Sequence, residues 1–405
     1  MRALAAHQAG TLGGMKIVLF DWTTGGHHSR YVQRVAEALV NHAEVIAAVP
    51  ARTAAELTGV RVHQLPDERP QVDRARRLGP QHQALAAAEL RHFQAVTHEL
   101  KPDHIVHMYG DPIIRWLIRE QPTSVSVSLI MFFVRAHYNR LYRTRLGLKE
   151  RARAAFQVHL IHTWRRRPDA HALLCLDEGA QEFLSAQPGA PVQWFPEPPV
   201  QGAWQPTAER AGCVLYGALS SRKGIDLLTR AAAAPGAPLR FVLAGAVEDG
   251  FEAALEDAVA AIRRAGCEVD LRARQHDESE GLGVMAQAKC VVLPYPTHFG
   301  MSRVLLEAAT VGTPVVAHSQ GLLGHLVRQW GLGLAVDCRD PVALRHALTS
   351  LVSRPDAVHE HAERLRRFTA RYTDEAFHRQ MRGVFRPGSS ETVDGRDSRL
   401  KEQSA

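Results

Sequence analysis

Short apolar runs alternate with helix-like patterns along most of this 405-residue sequence. A short, mostly apolar run between helical stretches is typical of a parallel strand that is buried on both faces. Two series of six runs predict such strands: KIVLF, EVIAAV, VRVHQL, HIVHM, SVSVSLIMFF and ALLCL, then GCVLYG, LRFVLAG, EVDLRA, CVVLPY, TPVVAH and GLAVD. Each series therefore predicts a doubly wound α/β domain, in which helices cover both faces of one parallel sheet.

The two series are divided by a Pro-rich segment, FPEPPVQGAWQPTAERAG, at residues 195–212. Its composition predicts a linker between an N-terminal domain at 15–200 and a C-terminal domain at 201–370. Residues 1–14 carry no hydrophobic period and are expected to be a flexible leader, and the polar residues 386–405 a disordered tail. Two such domains leave a cleft between the carboxyl ends of their sheets, where doubly wound folds bind ligands.

The charge balance favours anionic partners. The formal charge is +7 at pH 7 and the isoelectric point is near 9.4, which suits phosphates, nucleic acid or an acidic membrane surface. The five cysteines are widely spaced without a CxxC pair, so we expect a reducing compartment and no structural metal site. No apolar run reaches the roughly 18 residues of a membrane-spanning helix. These features predict a cytoplasmic protein.

Four stretches of the second half follow one another in a recognisable order: GALSSRKGIDLL at 217–228, FVLAGAVEDG at 241–250, a run from CVVLPYPTHFG to GLLGHLV at 290–327, and GLAVDCRDPVALRHAL at 333–348. This series resembles the nucleotide-sugar-binding domain of retaining GT-B glycosyltransferases of the family 4 type. The resemblance is good over about 211–350, fair over 15–50 and only topological between them.

The resemblance implies a GT-B architecture, with two Rossmann-like doubly wound domains facing across a cleft. It implies transfer of a sugar, with retention of configuration, from a nucleoside diphosphate sugar to a glycan, glycolipid or small-molecule acceptor. The nucleotide sugar is then a donor substrate and no cofactor is expected. The C-terminal domain would hold the donor and the N-terminal domain the acceptor, and a helix at 371–385 would cross back to the N-terminal domain.

Glu307 is a single carboxylate within an otherwise apolar helix pattern. Gly300, Met301 and Ser302 open this helix, so their backbone N–H groups and the positive end of the helix dipole can face an anion. The resemblance implies that Glu307 accepts both ribose hydroxyls of the donor. The alternative is an i,i+4 ion pair between Arg303 and Glu307 on a solvated face.

Lys223 and Arg222 are the predicted clamp for the leaving diphosphate. The resemblance implies that a basic residue just before Gly224 reaches the phosphates and, with Glu307, forms the catalytic set. The alternative is a solvated first turn of a surface helix. Because these cations take the place of a metal and no DxD triplet occurs in the sequence, metal independence is expected. Gly245, after the following strand, is expected near the base of the nucleotide.

The loop after the first strand carries Gly25 and Gly26, which permit a tight turn and a close backbone approach. The resemblance implies that this loop faces the donor phosphates, with His27 and His28 as candidates for contact with the sugar or acceptor. A Gly-Gly pair is also common in an ordinary turn between a strand and a helix.

The sequence departs from the resembled family at two places. The first glutamate of the family pair would fall at Phe299, and His298 is the nearest replacement, either as a sugar contact or as an ordinary loop residue. The family's histidine near the donor sugar is replaced by Met131, Phe132 and Phe133.

Three further residues of the first half are candidates for sugar or acceptor contact: His107, Asp111 and His137. Each histidine lies at or just beyond the end of a predicted strand, where it would enter the cleft. Each is equally consistent with a histidine buried in the core, which is the commoner role.

Residues 135–167 hold ten Lys or Arg and one acid, Glu150, with leucines and aromatic residues interleaved. A basic amphipathic helix of this kind can lie on an anionic membrane, which would suit a lipid-linked acceptor and a peripheral position at the inner membrane face. The alternative is a solvated face over a packed stripe. No nucleic-acid partner is expected, because no motif of that kind is present.

Two other functions fit the same predicted fold. A catalytically silent relative would bind a nucleotide sugar or a partner protein without turnover, as the replaced glutamate and histidine suggest. A nucleotide-sugar epimerase would need acid and base side chains in the cleft, and the sequence marks none convincingly.

Overall fold

The computed structural model describes residues 14–24, 28–66, 80–142, 144–204, 209–298, 300–354 and 356–385. The predicted leader, apart from Gly14, and the predicted tail lie outside these residues. The strands are β1 Lys16–Phe20, β2 Glu44–Pro50, β3 Arg61–Leu65, β4 His104–His107, β5 Ser126–Met131, β6 Ala170–Cys175, β7 Val192–Trp194, β8 Cys213–Tyr216, β9 Arg240–Ala244, β10 Glu268–Arg272, β11 Cys290–Leu293, β12 Val315–His318 and β13 Gly333–Val336.

The helices connect these strands as crossovers. They are α1 His28–Leu39, α2 Ala51–Ala54, α3 Pro80–Leu100, α4 Ile114–Leu117, α5 Tyr138–Leu141, α6 Leu148–Arg165, α7 Glu178–Ser185, α8 Ile225–Ala233, α9 Glu252–Arg264, α10 Glu278–Ala286, α11 Arg303–Thr310, α12 Gly321–Trp330, α13 Pro341–Ser353, α14 Ala357–Thr369 and α15 Asp374–Val384. Within the described part of the chain, no helix is long and apolar enough to cross a bilayer.

The strands form two parallel sheets, one in each half of the chain. Their orders are β3-β2-β1-β4-β5-β6-β7 and β10-β9-β8-β11-β12-β13. In both, the order reverses beside the first strand of the series, as in doubly wound folds. The predicted fold class is confirmed, and all twelve predicted runs contain a strand. Strand β7 was not predicted, because its three residues, VQW, are too short to show a pattern.

The apolar runs at the centre of each sheet became strands because they are covered on both faces. Ile17 and Val18 of β1 point to opposite sides of the first sheet, and both are fully buried. They belong to two different apolar clusters, one on each face of that sheet. Fully burying one such side chain stabilises the fold by roughly 1.5–3 kcal/mol, so each sheet depends on its two helical layers.

The last described helix, α15, packs on the first domain. Helix α15 packs against α1, and Phe377 is fully buried with its ring centroid 5.8 Å from that of Phe195. The ring of His171, on β6, hydrogen-bonds to the carbonyl of Val384 at 2.8 Å. The last helix therefore completes one helical layer of the first sheet.

Replacing Phe377 with Ala should lower the free energy of unfolding by about 3–5 kcal/mol, because it leaves a cavity between α15 and the first domain. Urea titration measures this change. Arg379→Ala is the matched control, since Arg379 is exposed on the same helix, and should change stability by less than about 0.5 kcal/mol. Equal effects of the two substitutions would show that α15 does not stabilise the domain.

Candidate functional site

The candidate site lies where the strand order of the second sheet reverses, between β8 and β11. The crevice outside the carboxyl ends of the strands at such a point is the usual ligand position in doubly wound folds. Gly217 follows β8 and Gly245 follows β9. A Cβ at Gly245 would lie 2.1 Å from the carbonyl oxygen of Gly217, and both glycines have positive φ, of 143° and 103°. The backbone of these two loops therefore packs more closely than any side chain would allow.

Lys223 is buried at this point. It lies in the 3-10 turn Ser221–Lys223, and its Nζ donates to the carbonyl of Tyr216 at 3.1 Å and to the hydroxyl of Tyr295 at 2.9 Å. The ammonium is thus held between the ends of β8 and β11. Arg222, on the same turn, is exposed. The alternative of a solvated turn therefore describes Arg222 but not Lys223.

The ammonium of Lys223 and the first turn of α11 both lie close to Gly217. A Cβ at Gly217 would lie 2.8 Å from Lys223 Nζ and 3.9 Å from Cγ2 of Val304. The helix begins after Ser302, whose side chain makes no capping hydrogen bond, and Gly300, Met301 and Ser302 are all buried. A positive helix end beside a lysine ammonium is an arrangement that can bind an anion.

Glu307 is buried one turn further along α11. Its carboxylate oxygen lies 3.3 Å from Nε of Arg303, and the two side chains are 11% and 5% exposed. The ion pair of the alternative interpretation is present, but it is buried, so the solvated face that this alternative assumed is excluded and the expectation of a buried helix is met. Burial raises the pKa of Glu307, while the cations of Arg303 and Arg30 oppose this rise.

His298 lies beside this helix start as a neutral imidazole. Its Nε2 donates to the carbonyl of Met301 at 2.8 Å. The pKa of His298 is lowered to about 4, mainly by burial. The hydrogen bond to Met301 opposes this shift, and the charges of Arg222, Lys223 and Arg135 contribute to it. Phe299, where the resembled family has a glutamate, lies outside the described residues.

The first domain presents a second polar group at its own reversal point, between β1 and β4. Asp21 follows β1, is buried, and accepts hydrogen bonds from Thr23 N at 2.9 Å and from His28 Nδ1 at 2.8 Å. The ring of His28 packs edge-on against Tyr109, with centroids 5.2 Å apart. Gly25, Gly26 and His27 lie outside the described residues. Asp21 was not predicted, although an acid directly after a buried strand is a usable signal.

Asp111 shapes the loop after β5. Its carboxylate accepts the backbone N–H groups of Phe132 at 2.7 Å and Phe133 at 3.1 Å, and burial raises its pKa to about 6 despite these bonds. Phe133 then reaches the second domain, where a Cβ at Gly300 would lie 3.3 Å from its ring. The loop that Asp111 holds therefore contacts the start of α11.

His107 and His137 are fully buried. Nε2 of His107 lies 3.4 Å from Oε1 of Glu89, and Nε2 of His137 lies 2.7 Å from Oδ2 of Asp177. These surroundings favour the alternative of core histidines over contact with a sugar or acceptor.

The basic segment 135–167 divides into two parts rather than forming one amphipathic helix. Its first part is buried against the second domain, where Thr144 Oγ1 accepts from Gly321 N at 2.9 Å and the ring centroids of Tyr142 and His325 are 4.3 Å apart. Its second part is α6, which carries Leu148 at 85% exposure and Phe156 at 50%. Only α6 therefore offers an apolar and basic surface.

No cluster of three or more His, Cys, Asp or Glu side chains that could hold a metal ion occurs among the residues that the structure describes. The cations at the site include those of Lys223, Arg222, Arg303 and Arg30.

The structure resembles several solved glycosyltransferases over nearly its whole length. Sucrose-phosphate synthase from Thermosynechococcus elongatus matches with a TM-score of 0.69 at 18% identity, over 92% of this chain and 98% of that one. HepE from Anabaena, in complex with UDP and glucose, matches with a TM-score of 0.64 at 16% identity, over 91% and 98%. WaaG, a glycosyltransferase involved in lipopolysaccharide biosynthesis, matches with a TM-score of 0.59 at 14% identity, over 92% and 100%.

The chain has the GT-B fold. Within this GT-B chain, residues 210–354 match the family model described as Glycosyl transferases group 1. That match covers the second domain, which carries Lys223, His298 and Glu307. No curated protein sequence matches the chain.

The imidazole of His298 should titrate near pH 4 and therefore remain neutral at pH 6. Replacing Arg222 with Ala should raise its pKa, because one of the cations that disfavour the imidazolium is removed. Histidine 15N NMR, with His298→Gln to assign the signal, measures both values. Arg230→Ala, which removes an exposed cation on α8, should leave the pKa unchanged. Titration of His298 near its ordinary pH of about 6.5 would contradict the geometry of this loop.

Proposed function

We propose that the protein is a glycosyltransferase that moves a sugar from a nucleoside diphosphate sugar to a glycan, glycolipid or small-molecule acceptor. The observation that carries this proposal is that the Lys223 ammonium and the first turn of α11 converge on Gly217, at the reversal point of the second sheet. The match of residues 210–354 to a glycosyltransferase family model and the GT-B fold support it.

The diphosphate of the donor binds at this meeting point. An ammonium has three donors, and two of those of Lys223 are directed at Tyr216 and Tyr295, so the third is available for a phosphate oxygen. The backbone N–H groups at the start of α11 supply further donors. As the bond to the sugar breaks, negative charge grows on the leaving diphosphate, and these fixed positive groups stabilise it.

The ribose and the sugar bind on either side of the phosphates. Glu307, further along α11, accepts the ribose hydroxyls through its carboxylate. His298 carries its proton on Nε2, so the lone pair on its Nδ1 accepts a hydrogen bond from a hydroxyl of the sugar. Gly245 packs directly against the backbone of Gly217, and the base of the nucleotide lies near this loop.

Retention of configuration and independence of metal ions belong to the same proposal. Retention is supported by the resemblance of the second half to retaining enzymes. Metal independence is supported by the cations of Lys223 and Arg222. They would neutralise the negative charge of the diphosphate, which a divalent metal ion neutralises in DxD enzymes. A protein in the cytoplasm has access to nucleotide sugars, and we propose that location.

Donor binding tests the site directly. UDP-glucose, GDP-mannose, ADP-glucose and dTDP-glucose, each with EDTA, should be compared by thermal shift, because a ligand of the native state raises Tm. One of them should stabilise the wild type, and Glu307→Gln should weaken its binding by about tenfold, since a hydrogen bond to a charged group is lost. Lys223→Met should lower the rate of transfer or hydrolysis more than it lowers affinity.

The matched controls are Lys289→Met and Glu256→Gln, a lysine before β11 and an exposed carboxylate on α9. Both should bind the donor as the wild type does. If no donor stabilises the wild type, the proposal fails. Binding without transfer or hydrolysis would favour the catalytically silent alternative, and a changed sugar without an acceptor would favour an epimerase.

The acceptor side fits a lipid-linked substrate. Leu148 and Phe156 are two of the five large apolar side chains that are exposed within the described residues, and they lie two turns apart on α6. Lys149 and Arg153 are exposed on the same helix, and the guanidinium of Arg115 lies 5.9 Å from the Phe156 ring centroid. We propose that this face contacts an anionic membrane, where apolar side chains enter the interface and cations meet the headgroups.

Flotation with phosphatidylglycerol vesicles measures this contact. The double variant Leu148→Glu, Phe156→Glu should reduce the bound fraction by about tenfold or more, because each apolar side chain contributes roughly 1.5–3 kcal/mol on burial. Val342→Glu, at an exposed apolar residue of the second domain, should bind as the wild type does. Equal binding of all three proteins would show that α6 is a solvated face.

A further inference from the structure

The guanidinium of Arg303 joins three separate parts of the chain. Its Nε faces Glu307 Oε1 at 3.3 Å, and its Nη2 donates to Glu278 Oε1 at 2.7 Å and to the carbonyl of Pro199 at 3.2 Å. Its Nη1 donates to the carbonyl of Pro198. The side chain is 5% exposed, and all three nitrogens are engaged, so Arg303 is held in one orientation.

The segment that Arg303 holds is the start of the predicted linker. Residues 195–199 are buried rather than solvated. Glu197 lies among them, and the hydroxyl of Tyr31, on α1, donates to its Oε2 at 2.5 Å. Burial raises the pKa of Glu197, and the nearby cation of Arg303 opposes that rise. The linker is therefore bonded to the first domain through Tyr31 and to α11 through Arg303.

Other charged groups also face Glu307. Arg30, from α1, lies 3.5 Å from Glu278 and favours the ionised form of Glu307, whereas Glu278 disfavours it. The charge of Glu307 also disfavours ionisation of Glu197. The phenol of Tyr216, at the end of β8, is also within the field of Glu307.

We propose that Arg303 is a positioning residue for donor binding: it keeps the carboxylate of Glu307 ionised and directed at the ribose, using the carbonyls of Pro198 and Pro199 as its anchor. This inference rests on the proposed function, because it assumes that Glu307 binds the donor. Arg303 does not touch the donor itself, since its guanidinium is already surrounded by protein groups.

The physical reason is the cost of burying a carboxylate. Burial in this crevice raises the pKa of Glu307, and Arg303 is the strongest group that opposes the rise. A protonated carboxyl would carry a hydroxyl proton in place of one acceptor and would bind a ribose diol less well. Removing the Arg303 charge moves the pKa of Glu307 upwards. As the pH is lowered, a variant without the Arg303 charge should therefore lose donor binding at a higher pH than the wild type does.

The experiment measures donor affinity from pH 5 to 8.5 by calorimetry, with the four nucleotide sugars named above. Arg303→Met should weaken binding at pH 7 by about tenfold or more and shift the acidic limb of the affinity profile to higher pH. Arg303→Lys, which keeps the charge but not the fork of donors, should restore the position of the limb while binding stays weaker. Glu278→Gln, which removes an opposing charge, should shift the limb to lower pH.

Arg345→Met is the matched control. Arg345 is a buried arginine of the same domain that donates to the carbonyl of Ala232 and contacts Cys267, so its loss should reduce stability without moving the limb. A limb that stays at the wild-type pH in Arg303→Met would overturn the inference. If Arg303→Met does not fold, an unchanged limb in Glu278→Gln together with unchanged affinity in Arg303→Lys would overturn it.

The two proposals fail in different ways. If no nucleotide sugar binds the wild type at any pH, the proposed function is wrong and the role of Arg303 falls with it. If a donor binds the wild type but Arg303→Met and Glu278→Gln keep the wild-type pH profile, the donor site stands and only the positioning role of Arg303 is wrong.

Discussion

One buried guanidinium, that of Arg303, fixes the position of the linker relative to α11, the helix that carries candidate donor-binding groups. Arg303 is anchored by two proline carbonyls and two carboxylates. A buried charge that loses its partner costs about 3–5 kcal/mol, so the structure can move α11 away from residues 198–199 only at that cost. The helix start and Glu307 are therefore placed by a contact that comes from outside the second sheet.

The candidate site is electropositive at one end and acidic at the other. Lys223 and the start of α11 lie at the positive end, together with a neutral His298 that avoids a further cation. Glu307 and Glu278 lie at the other end, each paired with arginine. This polarity matches a nucleotide sugar, which presents a charged diphosphate on one side of a neutral ribose diol.

The central strands could be predicted because a strand buried on both faces is mostly apolar, which leaves a local signal. Strand β7 has only three residues and leaves none. The histidines could not be sorted in this way. His107 ends β4 and His28 begins α1, yet one is fully buried beside Glu89 and the other is partly exposed beside Asp21. Residue type alone does not distinguish a core histidine from one that faces a crevice.

The amino-acid sequence by itself determined the fold class, the two sheets and the place of Glu307 on a short helix, because apolar periodicity and turn residues act over a few positions. Only the tertiary structure decided which charges are buried together. Arg303 and Pro198 are 105 positions apart, and Tyr31 and Glu197 are 166 apart. Such pairs form when two domains pack, and the free energy of each depends on how completely that packing removes water from both partners, which no local pattern records.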